Sequence, residues 1–518
     1  MTASSPSRPA PLAARLLSLG LEWLYIVHRW LGVATCILCA VWFVSGVVMV
    51  YVPYPGLTDR DRMTYSEPIA WDKVAVSPDK ALAAAGAKRF PSQFKLTMLR
   101  DTPVYRLVAD GERATVSAVD GHRIEGASAA DAAEIVQRLR PHDRLGPVKT
   151  LFHDQWTVAQ GFDPHRPLYR VPVRGSGGLT LYVSSRTGEV VNDTTGWERA
   201  WNWLGSIPHW LYLTVIRQDN AFWRQLIMWT SGPAIIGAAT GIWLGLLRMR
   251  VGREVPLGDI SPYRGWMSWH HVSGLIAGLF VLGWLVSGWL SVNPFHWFHR
   301  EAASQEELAR YAGQDAPRFD ANLAALRALP YRTAREARLI WVGGRPLVVL
   351  MGPSLLETTL DARTGAPAGL TDADLFAEAG RLSAGAPVAF ARRLTQDDDY
   401  WYSTPRSPRR MPVLRVGFAD PERTWVHIDP ATGEILGRTD NSGRAYRWWF
   451  NAPHAFDLPV LLRHGPSREI LIGALSIGGL IVSVSGVVIG WRRVVVKFVR
   501  RPKRRRASRL RQSRPTRG

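Results

Sequence analysis

The chain has 518 residues, 47% of them hydrophobic, yet its mean hydropathy is only −0.06, which excludes a chain buried in lipid throughout and leaves a mixture of apolar segments and polar domains. Lys and Arg number 64 against 43 Asp and Glu, giving a formal charge of +21. Only two cysteines are present, which excludes a disulfide-stapled fold.

In chain order, residues 1–23 carry Arg8 and Arg15 and read as a cytoplasmic N-terminus. The apolar run 24–52 predicts a first membrane span, since crossing a bilayer takes roughly 20 apolar residues. It exceeds a secretory h-region and no small-x-small cleavage site follows, so it reads as an uncleaved anchor. Cys36 and Cys39 both fall inside it and read as small packing residues rather than a redox or metal pair. Residues 53–222 form a long polar segment. Within it, 78–88 and 129–139 predict helices, 104–109 and 114–119 predict strands about Asp110-Gly111, and 179–191 predicts a hairpin turning at Thr187-Gly188-Glu189. The segment ends in an interfacial stretch before a second span at 223–247.

Residues 248–269 form a short loop holding Arg248, Arg250, Arg253 and Arg264, and 270–292 predicts the third span. A second polar segment, 293–469, echoes the first with Thr364-Gly365 and Thr432-Gly433-Glu434. The fourth span is 470–491, followed by a basic tail, 492–518, with Lys503-Arg504-Arg505-Arg506. By the positive-inside rule both termini and the short loop are cytoplasmic, and the two long segments lie outside. The tail reads as a topology determinant and anionic-lipid anchor, not as a nucleic-acid site. Tryptophans at span ends, such as Trp23, Trp30, Trp210, Trp223, Trp266 and Trp269, match interfacial aromatic belts.

The spans repeat their histidines in register. The interval from His28 to Gly46 of Ser45-Gly46 equals the interval from His270 to Gly288 of Ser287-Gly288. A second pair behaves alike: His209 precedes Gly241 of Thr240-Gly241 by the same interval that separates His454 from Gly486 of Ser485-Gly486. The turns Thr187-Gly188-Glu189 and Thr432-Gly433-Glu434 are offset from each other by the same distance as His209 and His454. The pattern predicts span, outer domain, span, twice over. It also proposes two axial-ligand pairs for haem, His28 with His270 and His209 with His454, because iron accepts one neutral imidazole from each of two facing helices. His209 and His454 are expected on interfacial segments before the spans proper. One continuous helix from His209 to Gly241 would measure roughly 48 Å, too long for the hydrocarbon layer.

The elements "VHRWLGV", "SIPHWLYL", "WHHVSGL" and "NAPHAFDLP", with the hairpins "YVSSRTGEVV" and "HIDPATGEILG", resemble the PepSY-associated transmembrane family over nearly the whole chain. The resemblance implies an α+β membrane protein: four transmembrane helices in two repeated units, with two periplasmic PepSY-like α+β domains. Some members of that family are bacterial inner-membrane reductases of ferric siderophores that bind two b-type haems. The resemblance thus implies two haem b groups, a dihaem electron carrier in the bacterial inner membrane, and a ferric siderophore as acceptor. The competing expectation is a non-enzymatic membrane protein whose outer domains bind a periplasmic protein or ligand.

His271, about 100° round the helix from His270, stands as a reserve ligand. His296 and His299 have no counterpart in the first unit; His122, His142, His153, His165, His427 and His464 read as structural or exposed, with His153 a candidate for a substrate surface. Arg29, Arg248 and Arg492 on one side, and Arg199, Arg447 and Arg463 on the other, are candidate propionate partners. Asp397-Asp398-Asp399-Tyr400-Trp401-Tyr402, near Arg406, Arg409 and Arg410, is a candidate chelate-binding loop, with a solvated loop as the plainer reading. No Gly-rich dinucleotide fingerprint is present, so electrons would enter from a quinol or a flavoprotein donor.

Overall fold

The computed structural model describes residues 12–109, 111–250, 259–298, 303–405 and 407–496. Arg8, Arg253, His299, Arg406 and the basic run of the tail lie outside the described residues.

Four long apolar helices match the four expected spans: α1 (Leu12–Tyr51), α2 (Asn220–Arg248), α3 (Trp266–Leu290) and α4 (Ser467–Val494). Each is long and apolar enough to cross a membrane. At 40 residues α1 is longer than the run 24–52 suggests and, at ~1.5 Å per residue, exceeds the thickness of the hydrocarbon layer. Helix α2 begins where Asp219 caps it, its carboxylate accepting the Phe222 amide, and α3 begins at Gly265 with φ of 59°.

Helices α1 and α3 each pack against both α2 and α4, so α1 and α3 sit diagonally in a four-helix ring. Small residues set the close approaches. A Cβ on Gly479 would stand 2.4 Å from the Phe43 ring, and one on Gly278 3.0 Å from Ile242. In lipid, where apolar surfaces gain little by hiding from the solvent, such close backbone packing is what holds helices together.

Outside the ring, the described residues form three sheets. The central one takes strands from both polar segments: β1 (Gln93–Leu99), β2 (Thr102–Ala109) and β3 (Glu112–Ser117) from the first, β9 (Glu336–Val342), β10 (Arg345–Met351) and β11 (Glu357–Asp361) from the second, in the order β11-β10-β9-β1-β2-β3. Antiparallel pairing of β1 with β9 sets Lys95 opposite Arg338 and Leu96 opposite Ala337. The two polar segments are therefore not independent bodies, as two PepSY-like domains would suggest. They share one six-stranded sheet and one core, in which Phe94 contacts Phe319 and Trp341. The sequence suggests separate domains because pairing between strands so far apart along the chain leaves no local pattern.

Each segment adds a flanking sheet. In the first, β6 (Leu168–Arg174), β7 (Thr180–Ser184) and β8 (Val190–Thr194) run with the short strands β4 (Arg144–Leu145) and β5 (Lys149–Leu151). In the second, β12 (Val388–Leu394), β13 (Val413–Phe418), β14 (Trp425–Ile428) and β15 (Ile435–Thr439) pair in order. Helix Ala129–Leu139, opened by the capping box of Ser128 and Asp131, covers one; helix Asp372–Gly380, opened by Thr371 and Asp374, covers the other. The expected helix 78–88 stops at Ala84, because Gly86 turns the chain at φ of 70°. The predicted Thr-Gly-Glu turns are present, with Gly188 and Gly433 at φ of 67° and 78°. A Cβ at either would strike the central sheet, 2.6 Å from Leu99 or 2.8 Å from Val342.

Candidate functional site: two facing histidine pairs

His28 on α1 and His270 on α3 face each other across the diagonal of the ring, their ring centroids 6.1 Å apart and their planes at 42°. Each is held by the neighbouring helix. His28 Nδ1 lies 2.9 Å from the carbonyl of Gly237 on α2. His270 Nδ1 lies 3.0 Å from the carbonyl of Val482 and 3.1 Å from Ser485 Oγ on α4. A carbonyl can only accept, so Nδ1 carries the proton in both rings and the lone pair sits on Nε2. A cavity of about 330 Å³ opens beside the pair, lined also by Cys36, Gly241, Gly486 and Arg29.

His209 and His454 repeat the arrangement at the other end of the bundle. They lie on the short helices Ser206–Trp210 and Ala452–Ala455, and their centroids are 6.2 Å apart at 67°. His209 Nδ1 is 3.1 Å from Ser45 Oγ and 3.2 Å from the Trp42 carbonyl. His454 Nδ1 is 3.0 Å from Ser287 Oγ, whose own proton goes to the Trp284 carbonyl, so the hydroxyl accepts from the ring. Both short helices end at a left-handed residue, Leu211 (φ 51°) and Phe456 (φ 49°). The chain is then tied back alike: Trp223 donates to the Trp210 carbonyl at 2.7 Å and Arg468 to the Ala455 carbonyl at 2.8 Å. These breaks place both histidines on separate segments before α2 and α4, as the long interval from His209 to Gly241 requires.

All four imidazoles rest on a glycine of the Ser/Thr-Gly pairs. A Cβ on Gly241 would stand 2.6 Å from His28 Cε1, and one on Gly486, Gly46 or Gly288 would stand 3.3 Å from Cε1 of His270, His209 or His454. The sequence marks these glycines as register points; their role as seats for the histidines appears only in the packing. Along α1 the rise from His28 to Gly46 is ~27 Å, so the two pairs lie near opposite faces of a ~30 Å hydrocarbon layer. Between them is an apolar cluster of Cys39, Phe43, Val281 and Leu285. Trp42 and Trp284 border that cluster, and each has a buried indole N–H without a hydrogen-bond partner among the described residues. Sequence reasoning missed this pair, although its offset equals that of His28 and His270 and could have found it.

The remaining candidates separate clearly. Both nitrogens of His271 are engaged, Nδ1 with Ser261 Oγ at 3.0 Å and Nε2 with the Gly245 carbonyl at 2.9 Å, so it has none to offer a metal. Cys36 packs against the Gly486 seat and Cys39 inside the apolar cluster. Among the described residues no group of three or more His, Cys, Asp and Glu gathers as a metal site. His122, His142, His153, His296 and His464 are exposed; His165 is buried at the end of the short helix Gln160–His165, and His427 is buried on β14. Of the arginines, Arg29, Arg248 and Arg493 line the cavity at the first pair, with Arg493 in place of the expected Arg492. Arg199 binds the Gly178 and Thr194 carbonyls, and Arg463 the Asp397 carbonyl.

The 397–402 stretch is neither an open binding loop nor a solvated one. Asp398 pairs with the fully buried Arg415, Trp401 is buried against His427, and Tyr402 donates to Asp457 at 2.8 Å. Asp457 in turn pairs with buried Arg447 at 3.1 Å, just past the helix bearing His454. The stretch is a strut that fixes the second outer histidine against the sheet.

The model of the PepSY-associated TM region matches residues 25–339 and 350–513. No curated protein matches the chain. With nearly its whole length matched, from ahead of His28 to beyond α4, this membrane protein, with four apolar helices among its described residues, belongs to the PepSY-associated TM region family.

Proposed function

We propose that the protein is a transmembrane dihaem electron carrier, with one haem b held by His28 and His270 and the second by His209 and His454. The supporting observation is the doubled geometry of the histidine pairs. A metal sits ~2 Å from an imidazole nitrogen, so two rings sharing one iron have centroids ~6 Å apart, in line with 6.1 and 6.2 Å here. The donor set fits as well: Nδ1–H is tied to a carbonyl or hydroxyl, which fixes ring orientation and puts the lone pair on Nε2.

A bis-histidine haem would supply one-electron exchange between ferric and ferrous iron. The chain's own residues would hold the rings on their glycine seats and keep water out between the pairs with the Phe43 cluster. Arg29, Arg248 and Arg493 are placed to meet carboxylates at the first site. The positive-inside charge pattern favours this site on the cytoplasmic side of a bacterial inner membrane, with both termini inside and the sheets in the periplasm. A membrane quinol or a flavoprotein would then supply electrons at His28 and His270. A ferric chelate such as a ferric siderophore, taking one electron per iron, is the proposed acceptor outside.

The test is the visible spectrum and haem content of the purified protein. Two haem b per chain are expected, with one lost on replacing His28 or His270 by Ala and the other on replacing His209 or His454. A folded, colourless preparation, or unchanged haem in all four variants, would overturn the proposal.

A further inference from the structure

The two halves of the outer region build the same layer of side chains with opposite charge. In the second half, Arg338 on β9 pairs with Glu357 at 2.5 Å and Glu434 at 2.7 Å. Arg410 pairs with Glu357 at 2.5 Å, Asp429 at 2.9 Å and Glu434 at 3.7 Å. Two guanidiniums thus meet three carboxylates, and each cation of the layer is compensated by carboxylates of its own half.

Strand register and the repeat offset locate the matching positions of the first half. Lys95 stands where Arg338 does, and Glu189 where Glu434 does, 2.8 Å from the Lys95 ammonium. Ser184 takes the place of Asp429, and His165 that of Arg410; the ring Nδ1 is 3.0 Å from Ser184 Oγ. Both positions stand two residues before a proline, Pro167 in one half and Pro412 in the other. Glu357 is replaced by Arg113, and Val349 by Arg106. Three permanent cations now face one carboxylate of their own. Glu336, between the halves, is shared by Lys95 (3.5 Å), Arg338 (3.6 Å) and Arg62.

Arg106 is 6% exposed; its terminal nitrogens donate to Thr97 Oγ1 and the Thr187 carbonyl and one lies 3.6 Å from Glu189, which Lys95 also holds, but its Nε has no hydrogen-bond partner among the described residues. The Arg113 Nε is likewise buried and unpartnered among the described residues. Burial, and next the nearby Arg113, push the His165 imidazole down to about 4, so it adds no charge near neutrality. A cavity of about 320 Å³ is lined by Lys95, Arg106, Arg113, His165, Glu189 and Glu336. Lys95 and Arg106 share Glu189 and no ion pair reaches Arg113 among the described residues, so positive charge is left in excess, and a bound anion would offset it through charge-assisted hydrogen bonds.

We infer that this cavity is a binding site for a small oxyanion of two or more charges, a polycarboxylate or a phosphate, seated against Arg106 and against Arg113, which stands where the other half holds Glu357. The site rests on neither histidine pair and stands apart from the haem reading.

Isothermal titration of the full-length protein in detergent, at constant ionic strength, with citrate and with inorganic phosphate as separate probes, tests it. Saturable binding of citrate alone assigns a carboxylate ligand, and of phosphate alone a phosphate; binding of both assigns the shared oxyanion chemistry. Arg113→Glu restores the charge of the second half and should weaken binding about tenfold or more, while its ligand-free melting temperature stays at or above wild type. If that variant fails to fold, Arg113→Gln carries the test with the same loss expected. No binding of either anion, or unchanged affinity in the folded variant, overturns the inference.

Discussion

The imidazole of His28 lies so close to Gly241 that a single added methyl group there would stand 2.6 Å from Cε1. Gly46 gives His209 more room, with 3.3 Å for the same group. Alanine is the better helix former by ~1 kcal/mol, so Gly241→Ala should not weaken α2. It should instead displace His28 and remove the spectral component assigned to the His28–His270 pair, leaving the other intact. Gly46→Ala should perturb its own component mildly. Equal haem content and spectra in Gly241→Ala and wild type would contradict the seating.

His271 is expected to behave unlike its neighbour His270. Its two hydrogen bonds tie Ser261 in the short loop to Gly245 at the end of α2. Replacing it with Ala takes a hydrogen bond from the partly buried Gly245 carbonyl and should lower stability by about 1 kcal/mol, with both proposed haem components retained. Loss of a component with normal folding would return His271 to the ligand set.

Arg447 and Asp457 form a buried ion pair, their side chains 7% and 9% exposed, beside the segment bearing His454. Removing one partner of such a pair strands the other charge, at a cost of about 3–5 kcal/mol. Arg447→Met should therefore lower the melting temperature and loosen the His209–His454 component while sparing the His28–His270 one. Equal loss of both components would point to global unfolding instead of a local strut.

Acid sensitivity should trace in part to His427. The ring stacks on Trp401 at 4.4 Å and accepts the Arg415 Nε proton at 2.8 Å, a role that only neutral imidazole can fill. Burial, followed by the Arg415 charge, holds it down to about 3, against an ordinary 6.5. As pH falls below 6.5 the unfolded chain takes up a proton that the folded ring refuses. Its contribution is therefore full above 6.5 and declines toward 3, with a slope of up to about 1.4 kcal/mol per pH unit. His427→Gln keeps an acceptor for Arg415 and should flatten the melting-temperature profile across that window. An unchanged slope would mean that other groups set it.

The sequence by itself determined the four apolar helices, the Thr-Gly-Glu turns and the pairing of His28 with His270 and of His209 with His454. Apolarity and left-handed turns act over a few residues, and the equal intervals ordered the histidines without any coordinates. It could not reveal that the polar segments share one sheet, because the Lys95–Arg338 pairing joins strands from opposite halves of the chain and imposes no local pattern. Nor could it separate His270 from the adjacent His271, or recognise the 397–402 stretch as a strut. Those outcomes depend on which carbonyl, carboxylate or ring the fold brings within hydrogen-bond reach. The contrast between Arg113 and Glu357 is written in the chain, yet only the shared register of β3 and β11 makes the two positions equivalent, since charge acquires its partner through packing and not through sequence distance.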